Sequence, residues 1–285
     1  MKVALLLPGF VRNLSYLNAL NVFLNNHKSY DFDLYTSSYD IVGLPTKSSI
    51  NHTKYKTTEP FVEHNYISKF KKCELDDYES YSKECLQFVN KNKLSSFIQK
   101  CSNEFWKKYN AKFKIKETEE TLLANIFAQW NKVYKTYCLL DDPDSYDIII
   151  RSRYDYNLKT MDLSKYINFC DQDKKTIVHK ITLLTNPPKL VGGDNIKIFP
   201  VDGFAMGNPY TMKIYCSFGK PENFIRNIKD QNLKSTNWFQ EKGKDIKLSN
   251  EGSLSYWCHN VNGLDYANIS DNHLKKYPNM RTTKV

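Results

Sequence analysis

The chain predicts an α/β domain, a mixed, mostly parallel sheet flanked by helices and carrying one helical insertion. Three observations carry that expectation. Val3 to Leu7 is a continuous apolar run cut off by Pro8-Gly9, the pattern of a strand covered on both faces that feeds a tight turn. A helical period follows and gives way to a second strand by Tyr35, which completes a minimal βαβ unit. A third apolar run, Ile148 to Ile150, ends abruptly in Arg151, Arg153 and Asp155, at the strand end where open α/β sheets place ligands.

The composition bounds the fold further. The 285 residues, 41% hydrophobic and 25% charged with 20 Tyr, 16 Phe and 4 Trp, exclude wholesale disorder. Ten Gly and ten Pro with no repeated block exclude collagenous, low-complexity and solenoid architectures. Composition does not shift along the chain as a linker would, so a single domain over 1–285 is expected, with the insertion at about 61–113. The net charge of +10 favours anionic partners such as nucleic acid, nucleotides or acidic membrane surfaces. The lysines are nevertheless dispersed, the densest groups being Lys69, Lys71 and Lys72 and then Lys112, Lys114 and Lys116, as on a solvated surface. Seven cysteines, an odd number without any C-x-x-C pair, suggest neither a disulfide framework nor a thiolate zinc site and fit reduced thiols in the cytoplasm. The opening MKVALLLPGFVR imitates a signal peptide, but Pro8 and Arg12 interrupt it and no cleavage site follows, so it reads as a buried strand. No stretch reaches the roughly 18 apolar residues of a membrane span.

Each element follows from local pattern. After the first strand, Leu17, Leu20 and Leu24 form one helical stripe with Tyr16 and Phe23 beside it, and Phe32 to Tyr35 is the second strand. Ser37 to Pro60 reads as polar and irregular, and within 61–113 apolar residues recur at helical spacing through Leu94, Phe97, Ile98, Cys101, Phe105 and Tyr109. The strongest helix is Glu117 to Leu140. Leu122, Ile126, Trp130, Tyr134 and Cys138 stand four apart, acidic residues crowd the first turn, and Asp141-Asp142-Pro143 stops it. Beyond the third strand come short strands at Ile196 to Phe199 and Gly203 to Met206, helices at Pro209 to Phe218 and Pro221 to Leu233, and a last short helix at Glu251 to His259.

Several groups could carry chemistry. Arg151, Arg153 and Asp155 follow three isoleucines, so they either pair with one another or face a ligand crevice, where a carboxylate flanked by guanidiniums could hold a divalent cation and a diphosphate. Pro8, Gly9, Phe10 and Arg12 form a strand-to-helix turn, where backbone N–H groups favour an anion, although no dinucleotide fingerprint or Walker loop is present. Tyr35 and Thr36 add an aromatic face and hydroxyls at the end of the second strand. Asp202 precedes Gly203 and a short apolar strand and suits a sugar hydroxyl or a base, as Glu251 does, and His259 could ligate a metal.

The succession VALLLPGFVRN, DFDLYTSS, a helix bearing Asn125 and Gln129, YDIIIRSRYDY, and VDGFAMGN before a helix with Met212 resembles GT-A-type (Rossmann-like) nucleotide-sugar glycosyltransferases. It is most similar to poorly characterised members from surface-polysaccharide gene clusters and large DNA viruses. The likeness covers roughly 1–40 and 118–260. It implies transfer of a sugar from a nucleotide-diphosphate donor to a glycan or other acceptor hydroxyl, in the cytoplasm, or that of a host if the chain is viral. It also implies that Asp155 binds Mn2+ or Mg2+ with the diphosphate, as the D-x-D motif of such enzymes does, with Arg153 standing where the first aspartate would be. Pro8 to Arg12, Tyr35 and Thr36 would then cradle the nucleotide, Arg151 and Arg153 would assist the leaving group, and Asp202 or Glu251 would serve the acceptor. The alternative is a basic nucleic-acid-binding protein without catalytic activity, against which the dispersed lysines and missing binding motif count, so no nucleic-acid partner is expected.

Overall fold

The first apolar run forms the centre of the molecule because it is flanked by a strand on each edge and a helix on each face. A computed structural model describes residues 1–12, 15–42, 59–61, 66–97, 118–156, 158–159, 161–172, 175–183, 198–234, 239–241, 244–246, 254, 256–269 and 274–277. In chain order the strands are β1 (Lys2–Leu6), β2 (Asp31–Tyr39), β3 (Ile41–Val42), β4 (Glu59–Pro60), β5 (Lys72–Asp76), β6 (Ile148–Ser152), β7 (Thr176–Leu183), β8 (Ile198–Gly207), β9 (Phe239–Glu241), β10 (Lys244–Ile246), β11 (Asp265–Ile269) and β12 (Leu274–Tyr277). The helices are α1 (Ser15–Asn26), α2 (Tyr78–Lys91), α3 (Glu119–Cys138), α4 (Ser164–Gln172), α5 (Pro209–Ser217) and α6 (Pro221–Lys234).

Eight strands form one sheet in the order β12-β11-β7-β8-β6-β1-β2-β5. All run the same way except β8 and β12, so the sheet is mixed and mostly parallel, as expected. Strand alternation divides its core. Val3, Leu5, Ile148 and Ile150 point to the face covered by Leu17, Leu20 and Phe23 of α1 and by Ile167 and Cys170 of α4. Ala4, Leu6 and Ile149 point to the other face, against Leu123, Phe127, Trp130 and Val133 of α3 and Met212 and Tyr215 of α5. No described helix is long and apolar enough to cross a membrane. Six cysteines, Cys73, Cys85, Cys138, Cys170, Cys216 and Cys258, are free thiols.

Three expectations need correction. The segment at 61–113 is no helical insertion set apart from the sheet, because its described part supplies the edge strand β5, paired parallel to β2, and then α2, which buries Tyr81, Cys85 and Val89. Residues 98–117, with Ile98, Cys101, Phe105 and Tyr109, lie outside the described residues. The second strand does not stop at Tyr35. It runs through the polar Thr36-Ser37-Ser38 to Tyr39, because these buried residues have partners: the Ser38 hydroxyl donates to the Gly9 carbonyl at 2.7 Å and the Ser37 N–H to the Thr136 hydroxyl at 2.9 Å. The two short strands after residue 196 are one strand, β8, antiparallel to both β6 and β7. At the C-terminal end, Tyr256–Val261 is a π-helical turn, and of the expected helix residues 251–253 and 255 are outside the described set.

Lys132 ties α3 to the ends of β2 and β5. It is fully buried, donates to the Ser38 carbonyl and the Asp76 carboxylate at 2.5 Å each, and lies 4.6 Å from the ring centres of Tyr39 and Tyr81. Lys135 adds bonds to Glu74 at 2.7 Å and Asp76 at 2.9 Å. Burial pushes the Lys132 ammonium down from its ordinary pKa, and the hydrogen bond and charge of Asp76 resist that shift.

Gly219 passes so close to α3 that a Cβ would lie 1.7 Å from the Trp130 carbonyl oxygen. Backbone cannot yield as a side-chain tip can. Gly219→Ala is therefore expected to cost about 3 kcal/mol and to lower Tm by roughly 6–12 °C at 2–4 °C per kcal/mol, measurable by calorimetry.

Candidate functional site

The chain's path through the sheet creates the site. From β1 it passes through α1 to β2 and β5 on one side, and returns through α2 and α3 to β6 on the other. The segments leaving the carboxyl ends of β1 and β6 therefore diverge, and a crevice opens outside them at the reversal of strand order. The registers place these ends level, Leu6 opposite both Tyr35 and Arg151. Gly9 makes the turn out of β1 with φ of +90°, a conformation that favours glycine, and its N–H bonds the Ser37 carbonyl at 2.9 Å.

A cavity of about 230 Å³ occupies this crevice. Pro8, Gly9, Phe10 and Arg12 line it from the β1 turn, and Arg151, Arg153, Tyr154 and Asp155 from the end of β6. Tyr39 adds the end of β2, Tyr78, Ser82 and Cys85 come from α2, and Asn125 and Gln129 come from α3. Its volume is just below the roughly 300–1,000 Å³ typical of small-molecule sites, so it encloses the deepest part of a ligand rather than all of one. Among the described residues Asp155 is the only acid on its wall, opposed by three arginines.

Arg151 carries a buried charge that the described residues leave partly unsatisfied. Strand alternation turns it to the α3 face, where it is 1% exposed, its guanidinium carbon 5.6 Å from the centre of the Trp130 ring. Its Nε and Nη1 are buried and make no hydrogen bond among the described residues. A guanidinium cannot escape by deprotonation, and a buried charge without hydrogen bonds is costly. The residue also lines the cavity, so an anion bound there would lie against its charge.

Asp155 is differently placed. Its Oδ1 accepts from Arg153 Nε at 2.7 Å, and its Oδ2 accepts from Arg153 Nη2 at 2.5 Å and from Arg12 Nη1 at 2.9 Å. The carboxylate is 18% exposed, and its partners Arg12 and Arg153 are 32% and 26% exposed. Burial raises its pKa, but the bonds and charge of Arg153, followed by the charge of Arg12, more than offset this and hold the carboxyl below its ordinary range. A divalent cation needs oxygen donors with free lone pairs in a negative surround. Asp155, with three guanidinium N–H bonds on its two oxygens amid a surplus of positive charge, is a poor match for one. Among the described residues no three His, Cys, Asp or Glu side chains come together as a metal site.

The other end of the cavity is aromatic. Phe10 lies 4.7 Å from Tyr39 and 5.1 Å from Tyr78, centre to centre, and Tyr39 and Tyr78 are 5.4 Å apart. Asn125 and Gln129, one turn apart on α3, place two carboxamides on the same wall. Burial pushes the Cys85 thiol up to about 12, so it stays protonated and is no nucleophile at neutral pH.

Of the residues expected at the donor, the structure brings together Pro8, Gly9, Phe10, Arg12, Arg151 and Arg153, with Asp155. It removes Tyr35 and Thr36. Both are buried, the Tyr35 hydroxyl bonding that of Tyr146 at 2.6 Å and the Thr36 hydroxyl donating to the Leu7 carbonyl at 2.7 Å, so their polar groups complete the core instead of facing a ligand. Asp202 lies on β8 beside Gly203, whose carbonyl accepts from the Arg153 N–H at 2.8 Å, so its backbone adjoins the site. The side chain of Asp202 is outside the described residues, as are the side chain of His259, in the π-helical turn, and the whole of Glu251. Tyr39, Tyr78, Ser82 and Cys85 escaped the sequence reading. The alternation of Tyr35, Ser37 and Tyr39 was the signal for the first, and the spacing of Tyr78, Ser82 and Cys85 on one helical face for the others.

Removing one partner of a buried ion pair costs roughly 3–5 kcal/mol, and partial hydration of both arginines reduces that here. Asp155→Asn should thus lower stability by about 1–3 kcal/mol at pH 7. Because the folded carboxyl titrates below its unfolded value, its contribution is complete above the unfolded pKa of about 4 and is lost as pH falls through the lower folded value. Urea denaturation should show the wild type and the variant converging as pH falls through that lowered folded value. A gap that persists unchanged there would place the effect elsewhere than in this charge.

The chain matches no protein-family model, no curated protein and no solved structure.

Proposed function

We propose that the chain is a GT-A-like glycosyltransferase that takes a sugar from a nucleotide-diphosphate donor and passes it to an acceptor hydroxyl. The observation that carries this reading is Arg151, a buried guanidinium with two unmet nitrogens, in a residue that lines a crevice also holding Arg12 and Arg153. A diphosphate offers many acceptor oxygens and two or more negative charges, which is what three arginines and one carboxylate leave unbalanced. The aromatic end supports a nucleoside beside it, since a base finds a ring surface in Phe10 and Tyr78 and hydrogen-bonding partners in Asn125 and Gln129. The nucleic-acid alternative gains no comparable observation.

In the reaction the acceptor oxygen bonds to the anomeric carbon of the donor sugar as the bond from that carbon to the diphosphate oxygen breaks. The electron pair of the broken bond leaves with the nucleoside diphosphate, and the acceptor's proton passes to a carboxylate, for which Asp202 and Glu251 are the candidates. Arg151, Arg12 and Arg153 lower the barrier by meeting the charge that develops on the leaving oxygen in a site that excludes much of the water. Donor orientation comes from the β1 turn, which is rigid because Gly9 is bonded to β2 through both its N–H and its carbonyl.

Arg151→Met separates this role from folding. It retains the length and packing of the side chain on Trp130 but removes the charge, so ligand-free stability should hold or rise while affinity for a nucleoside diphosphate falls roughly 10²-fold. A thermal-shift screen of nucleotide sugars, followed by measurement of nucleoside diphosphate released from the stabilising donor, checks both halves. Failure of every nucleotide sugar to raise Tm, or wild-type binding by Arg151→Met, overturns the reading.

A further inference from the structure

We propose that Asp155 stands in for the ligand's own charge, holding Arg12 and Arg153 in place until a diphosphate takes them over, and that arginines neutralise this diphosphate without a divalent cation. This rests on the reading of the crevice as a diphosphate site. Within it, the two guanidiniums bonded to Asp155 and the one guanidinium with unmet nitrogens form the same wall, so an anion that satisfies Arg151 arrives beside a carboxylate of its own sign. Asp155 cannot attract that anion directly. Its contribution is to fix two long side chains that would otherwise sample many rotamers, at the cost of repelling what they bind.

The arrangement makes Asp155 a positioning residue whose effect on binding is inhibitory. A diphosphate carries two or more negative charges, each repelled by the carboxylate in a partly dry cavity. The carboxamide introduced by Asp155→Asn retains one oxygen to accept from Arg153 or Arg12 and carries no charge. Loss of the carboxylate should therefore tighten binding even as it weakens the fold. A metal ligand at this position predicts the reverse, because removing its charge would remove the cation and with it the diphosphate.

Titration of inorganic pyrophosphate by calorimetry, in EDTA at pH 7.5 and well below the melting temperature, tests this on the full chain. The wild type should bind without metal, Asp155→Asn should bind at least tenfold tighter, and Arg151→Met should lose at least a hundredfold. Weaker binding by Asp155→Asn overturns the stand-in role while leaving the diphosphate site intact. Binding by Arg151→Met at the wild-type level, or none by the wild type with or without magnesium, overturns the diphosphate reading itself. Should Asp155→Asn not fold, Arg12→Gln and the wild type decide. Wild-type binding that appears only when magnesium is supplied overturns the proposal, and so does an Arg12→Gln variant that binds pyrophosphate as tightly as the wild type.

Discussion

Leu6 of β1 stands level with Tyr35 of β2 on one side and Arg151 of β6 on the other, and this double parallel pairing constrains everything at the site. It brings the turn at Pro8 to Arg12 and the segment from Arg151 to Asp155 side by side, although some 140 residues separate them in the chain. It also sets their orientation, since alternation along β6 sends Ile148 and Ile150 to the α1 face and Ile149 and Arg151 to the α3 face. A slip of one residue in the pairing of β6 would exchange those faces and bury an arginine against α1. The five wholly buried residues of β6 make such a slip costly.

Two buried cations on the α3 face show how structural and functional charge differ. Lys132 meets a carbonyl, a carboxylate and two aromatic rings, so each demand created by its burial is answered within the protein. Arg151, nearly as buried, receives a single ring from Trp130 and leaves Nε and Nη1 unmet. The first arrangement fastens α3 to β2 and β5. The second leaves unmade hydrogen bonds that folding alone would favour making, and the proposed diphosphate would complete them. Both depend on α3, against which Gly219 passes closely at the Trp130 carbonyl.

The sheet's centre was legible in the sequence because its strands are buried on both faces and therefore read as uninterrupted apolar runs. The arginines at the end of β6 were legible for the converse reason, as charges where a core run should continue. What sequence could not convey was satisfaction at a distance. Thr36, Ser37 and Ser38 look like a loop because polar residues rarely fill a strand core, yet their hydrogen bonds go to Leu7, Thr136 and Gly9 in other elements. The same gap put Tyr35 and Thr36 at the ligand and left Tyr39 unnoticed. β5 was missed because none of its residues is fully buried, so an edge strand showed no apolar run or clear alternation. The arginines bonded to Asp155 were adjacent in sequence only in part, since Arg12, the second of them, reaches it from β1's turn.

Net charge and site charge act over different distances. The surplus of ten positive charges is dispersed along the chain in lysines, and at physiological salt charges at a surface are screened beyond about 8 Å, so they draw anions without choosing among them. The guanidiniums of the cavity are buried or partly buried, so screening is weaker there and planar donors can meet phosphate oxygens in pairs. On the proposed reading, selectivity for a diphosphate comes from the three arginines and from the carboxylate that opposes them. An anion with a single charge gains little by displacing Asp155 from Arg12 and Arg153, whereas one with two or more charges can replace the carboxylate and still satisfy Arg151.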